Sequence, residues 1–178
     1  MKITICVCGG ISAYKSASII SALKKYKDID IKVIMTKNAT EFITPLTLET
    51  LSKNTVAIDM FSESNADYVG HIEYAQHTDL ILVVPATANI IGKTANGIAD
   101  DMVTSTIIAA TAPVIFVPAM NEKMYLNKIV QANISKLKSY DYIFIEPEQG
   151  LLACGDVGIG KLPQTKTIIE EVLKYKEE

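Results

Sequence analysis

The sequence predicts a doubly wound α/β fold of three layers on a mainly parallel sheet, and three observations point there. Short runs rich in β-branched and apolar residues recur at 3–7, 31–35, 80–84 and 114–117, with a fifth at 142–145. Each run is nearly continuous in its hydrophobicity instead of alternating, the habit of strands covered on both faces. Helical patterns fall between the runs, so strand and helix alternate along the chain, as in Rossmann-like and flavodoxin-like folds.

The elements follow in order. The first strand runs through Gly9-Gly10 into a helix over 12–26, where Ala17, Ile20 and Leu23 recur at three-residue steps and Ser12 is placed as an N-cap. The second strand ends at Thr36. Gly70-His71-Ile72-Glu73 enters the helix that leads to the third strand, and Pro85-Ala86-Thr87-Ala88-Asn89 leaves that strand. Pro118-Ala119-Met120-Asn121 leaves the fourth. After the fifth comes 150–163, with Gly150, Gly155, Gly158 and Gly160 close together, and a short helix over 168–175 closes the chain in charge. With 178 residues and 49% apolar content, one domain over 1–178 is expected.

Composition narrows the function classes. The net charge is −3, and 17 basic and 20 acidic residues are spread without a basic stripe, so nucleic acid is not an expected partner. All the basic residues are lysines. A bound phosphate is therefore held by lysine, by backbone N–H groups or by a helix N-terminus, not by an arginine fork. No apolar run approaches the roughly 20 residues of a membrane span, and a cytoplasmic location is expected. Cys6 and Cys8 face the same side of one strand, which suits neither a disulfide framework nor a metal site.

Ligands of doubly wound sheets bind at the carboxyl ends of the strands. Gly9 and Gly10 sit there between strand and helix, where missing Cβ atoms admit an anion to backbone N–H groups. The pattern is neither G-x-G-x-x-G nor a P-loop, which favours a mononucleotide over a dinucleotide or ATP. Thr36, Thr87 and Asn89 add hydroxyl and amide groups to the same edge. Asn121 is placed either to donate to a substrate carboxylate or to cap the next helix, and the two roles are compatible. His71 and His77 are the only imidazoles, and His77 reads as a solvated helix-end residue. The glycine-rich stretch reads as a mobile flap, with Cys154 in its middle as a thiol acid.

Six motifs, in order and spread over essentially the entire chain, resemble those of the homo-oligomeric flavin-containing cysteine decarboxylases. They are Gly9-Gly10-Ile11-Ser12-Ala13-Tyr14-Lys15, Gly70-His71-Ile72, Pro85-Ala86-Thr87-Ala88-Asn89, Ala95-Asn96-Gly97-Ile98-Ala99-Asp100-Asp101-Met102, Pro118-Ala119-Met120-Asn121 and Leu152-Ala153-Cys154-Gly155. The resemblance implies FMN as cofactor, held by Gly9, Gly10, Ile11, Ser12, Thr36, Thr87, Ala88, Asn89 and Ala119. It implies that a cysteine-derived carboxylate is held by Asn121 and by Leu151, Leu152 and Ala153 of the flap, with Lys161 a candidate for a substrate phosphate. His71 would serve as base or proton shuttle while the thiol is oxidised and carbon dioxide leaves, and Cys154 would protonate the resulting enethiolate.

Within the family, the Ala-Cys-Gly flap resembles members that serve coenzyme A biosynthesis. The peptidyl-cysteine decarboxylases of lantibiotic maturation and non-enzymatic regulatory subunits are the alternatives. An obligate homo-oligomer, trimer or dodecamer, is implied, with FMN where subunits meet. Tyr125 stands where the family often carries Trp. Many relatives continue into a synthetase domain whereas this chain stops at Glu178, so a separate phosphopantothenate–cysteine ligase is expected.

Overall fold

The computed structural model of the chain describes residues 1–61 and 70–176. Its strands are β1 (Lys2–Val7), β2 (Asp30–Met35), β3 (Val56–Ala57), β4 (Leu80–Ala86), β5 (Val114–Pro118) and β6 (Ile143–Phe144), followed by β7 (Glu148–Leu151) and β8 (Val157–Lys161). The helices are α1 (Lys15–Leu23), α2 (Pro45–Ser52), α3 (Gly70–Gln76), α4 (Ala88–Ala95), α5 (Met102–Ala109), α6 (Glu122–Tyr125), α7 (Lys128–Lys138) and α8 (Thr165–Leu173). β1 to β6 form one sheet in the order β3-β2-β1-β4-β5-β6, every neighbouring pair parallel. β7 and β8 form a separate antiparallel hairpin.

The continuous apolar runs become strands because both sheet faces are covered. Every residue of β4 is buried. Alternate side chains divide between two cores: Ile3, Ile5, Leu82 and Ile115 pack with Ile19, Ile20 and Leu23 of α1 and with Ile168 and Val172 of α8. Cys6, Cys8, Ile81, Val83 and Phe116 pack on the other face with Ile90 and Ile91 of α4, Val103 and Ile107 of α5, and Ile134 and Leu137 of α7. Full burial of each such aliphatic side chain contributes about 1.5–3 kcal/mol before entropy is counted. Cys6 and Cys8 do share a face, and all three cysteines are free.

Two details differ from expectation and one strand is additional. Ser12 does not cap a helix: a 3-10 turn over Ile11–Tyr14 intervenes, its N-cap is Gly10, and α1 begins at Lys15. The edge strand β3 was not read from the sequence. The glycine-rich segment expected as a mobile flap is largely a paired hairpin, β7–β8. Among the described residues no helix is long and apolar enough to cross a membrane.

Candidate active site

The strand order reverses between β1 and β4, and a crevice at such a switch point is where this class of sheet binds ligands. A cleft of about 910 Å³ opens there. The loop after β1 supplies Gly9, Gly10, Ile11 and Ser12. Thr36 comes from the end of β2, and Thr87, Ala88 and Asn89 from the end of β4. Ala119 and Asn121 come from the end of β5, and Leu151, Leu152, Ala153, Cys154 and Lys161 from the hairpin. The one expected site residue outside this lining is His71.

Each wall has a local cause. The β1 loop lies so close to the loop after β2 that a Cβ on Gly9 would fall 2.6 Å from the Cβ of Asn38. Gly9 is therefore needed for chain packing as well as lining the cleft. Ser16 ties α1 to the sheet by donating to the Val84 carbonyl at 2.8 Å. Thr87 caps α4 by accepting from the Ile90 N–H at 3.3 Å, which fixes a helix N-terminus on the cleft. Asp101 caps α5, and with Asp100 it grips Lys93 of α4 at 3.2 and 2.7 Å. The Ala95–Met102 motif thus locks two helices beside the cleft, where Lys93 and Asp101 also appear.

The rim carries the reactive groups. Asn121 caps α6 with its Oδ1, accepting from the Lys123 N–H at 2.9 Å. Its Nδ2 remains to donate to Cys154 Sγ at 3.4 Å. Cys154 is exposed at the hairpin turn, and its thiol faces Asp156 Oδ2 at 3.5 Å. The stem of Lys161 crosses Gly150, whose Cβ would lie 3.0 Å from Lys161 Cδ. Cys8, buried in the cleft wall, is a different kind of thiol. Burial, reinforced by the Asp101 carboxylate and only partly offset by a backbone hydrogen bond from Thr87, pushes it up to about 12. A disulfide reagent at mildly alkaline pH is therefore expected to titrate one fast thiol, Cys154, in the native protein and all three after unfolding. Two fast thiols in the native protein would refute this assignment of burial.

The cleft suits a flavin mononucleotide. Thr36 Oγ1 is buried and has no hydrogen-bond partner among the described residues. Leaving such a group unpaired costs about 1–3 kcal/mol, so it fits a ligand acceptor or donor. Gly10, Ile11 and Ser12 line it together with Lys15 and Lys37, residue types that suit a phosphate, and Cys8, Ala119, Met120 and Met124 add apolar lining that suits a ring. Lys15 of the first motif, Lys37, Asn38 and Met124 line the cleft beyond the expected site residues, and Lys37-Asn38 directly follows Thr36. His71 lies near the start of α3, which packs against α5, and its Nδ1 is buried without a partner among the described residues. His77 is exposed just past that helix.

The family described as Flavoprotein matches residues 1–176. The coenzyme A biosynthesis bifunctional protein CoaBC of Bacillus subtilis (strain 168) is 48% identical over 98% of this chain, which spans only 43% of that protein. The probable phosphopantothenoylcysteine decarboxylase of Streptococcus mutans serotype c is 44% identical, with 96% of each chain covered. Among solved structures, a PPC decarboxylase mutant complexed with pantothenoylaminoethenethiol superposes with a TM-score of 0.90 at 26% identity, over 99% of this chain and 98% of the other. The FMN-dependent cysteine decarboxylase SpaF gives 0.87 at 27% identity, over 100% and 98%. With a family match along nearly its whole length and a relative of matching extent, this chain belongs to the flavoprotein family, on its cysteine-decarboxylase branch.

Proposed function

We propose that the chain is an FMN-dependent decarboxylase that converts 4′-phosphopantothenoylcysteine to 4′-phosphopantetheine. The observation that carries this reading is the approach of Asn121 Nδ2 to Cys154 Sγ, 3.4 Å apart on the rim of a cleft that suits a flavin. The names of the Bacillus and Streptococcus relatives support the pathway and the substrate.

Losing carbon dioxide directly from a cysteine carboxylate leaves charge on an unstabilised carbon. A flavin, when bound, supplies a reversible hydride acceptor and hence the missing electron sink. Gly9, Gly10, Ile11 and Ser12 hold its phosphate end, while Thr36, Thr87, Ala88, Asn89 and Ala119 line the rest of its site. Asn121 holds the substrate carboxylate by a neutral donor, which orients it without a cation's stabilisation of the charge that must leave. Leu151, Leu152 and Ala153 cover the substrate, Lys161 takes its phosphate, and Cys154 delivers the proton that completes the product. A flavin that took the hydride and gave it back would leave the overall reaction without net oxidation.

His71 is the proton shuttle of this scheme, yet it lies outside the lining of its own cleft. The reading therefore requires a second copy to bring His71 to the site, in a homo-oligomer, trimer or dodecamer. Exposed apolar residues such as Phe61 and Ile108 are available for burial in such an assembly. Sedimentation is expected to show an oligomer, and a fully active monomer would refute the shared site.

The direct test incubates the purified, FMN-loaded protein with phosphopantothenoylcysteine and, separately, with a cysteine-terminated peptide. Loss of carbon dioxide from the first and not the second, by mass, is expected. The reverse pattern would make the protein a peptidyl-cysteine decarboxylase, and loss from neither would end the enzymatic reading.

A further inference from the structure

The hairpin is fastened to the site by contacts that bracket Asn121 on both sides. On one side the Met120 N–H donates to the Gly160 carbonyl at 3.0 Å. On the other the Glu122 carboxylate accepts the Ile159 N–H at 2.9 Å. The fit is close: a Cβ on Gly158 would fall 2.5 Å from the Glu122 carboxyl carbon, and one on Gly160 would fall 2.1 Å from the Met120 oxygen. Gly160 also has φ +139°, in the region that favours glycine. Among the described residues no lysine pairs with Glu122. Its charge is directed at the hairpin backbone instead, where a charged acceptor makes a stronger bond than a neutral one.

We propose that Glu122 is a positioning residue for the reaction: it clamps the return strand of the hairpin and so sets the distance between Asn121 and Cys154. The proposal rests on the reading that those two side chains hold and protonate the substrate. Glu122 touches neither substrate nor cofactor. It acts through β8, whose start lies three residues after Cys154, while its own chain neighbour is Asn121. With the clamp released, Asn121 still caps α6, but Cys154 is no longer held opposite it. The expected signature is a product that has lost carbon dioxide and leaves before it receives its proton and hydride.

The test compares wild type with Glu122→Ala, Glu122→Gln and, as an independent perturbation of the same seat, Gly158→Ala, all as FMN-loaded full-length protein. Amide hydrogen exchange by mass spectrometry is expected to quicken about tenfold in β8 of Glu122→Ala, while β1 and β4 stay protected. With phosphopantothenoylcysteine, Glu122→Ala and Gly158→Ala are expected to release the decarboxylated, unreduced enethiol, at most one equivalent per flavin, with the flavin left reduced in the same amount. Glu122→Gln, whose amide oxygen still accepts from Ile159, is expected to recover most of both properties. Unchanged exchange in Glu122→Ala overturns the clamp, and looser exchange with unchanged product partition overturns the positioning role. Should wild type turn over no cysteine substrate while β8 still loosens in Glu122→Ala, the clamp stands and the decarboxylase reading fails.

Discussion

Cys154→Ser is expected to keep its flavin and to lose about 10²- to 10⁴-fold in turnover, the range typical of removing a positioned acid. The geometry gives the reason. Cys154 is the exposed cysteine and stands at the tip of the hairpin against Asn121 Nδ2. A serine there keeps the size of a small polar side chain but is a far weaker acid than a thiol, so the step that consumes the proton slows while the earlier ones proceed. Mass detection should then find a species lighter than the substrate by carbon dioxide and two hydrogens. Cofactor binding should change little, since the loops after β1, β2 and β4 proposed to hold the flavin do not include this residue. Normal turnover by the variant would remove the acid role from Cys154.

Phe116→Ala is the substitution expected to cost most stability. Phe116 is fully buried in β5, stacked on Phe144 with centroids 5.2 Å apart and edge-on to Tyr142 at 5.8 Å. Truncation loses the transfer free energy of the ring and leaves a cavity that β6 cannot readily fill, about 3–5 kcal/mol. In a chain of this size, that lowers the melting temperature on the order of 10 °C. Calorimetry or thermal denaturation of the FMN-free protein measures it. A fall of less than about 1 kcal/mol would mean that Phe116 is not the aromatic anchor of its layer.

The central strands were legible because burial on both faces writes an uninterrupted apolar run. β3 left no such mark: it has two residues, both half-buried, and pairs only with Val33 and Ile34. The hairpin was hidden for a different reason. β8 reads Val-Gly-Ile-Gly-Lys, and glycine content that suggests mobility is also what close packing against Glu122 and Met120 demands. Most candidate site residues do meet in one cleft, because parallel topology gathers the loops that leave the strands' carboxyl ends. His71 did not follow them. It lies on the helix before β4, and no periodicity in that short segment tells which way an imbalanced helix face turns.

The two-stranded ribbon exchanges ladder hydrogen bonds only within itself, so the surface proposed to meet the substrate is appended to the six-strand sheet and not woven into it. Exchanging it for the corresponding hairpin of a relative is expected to leave the register of the parallel strands intact, because no ladder bond joins the two.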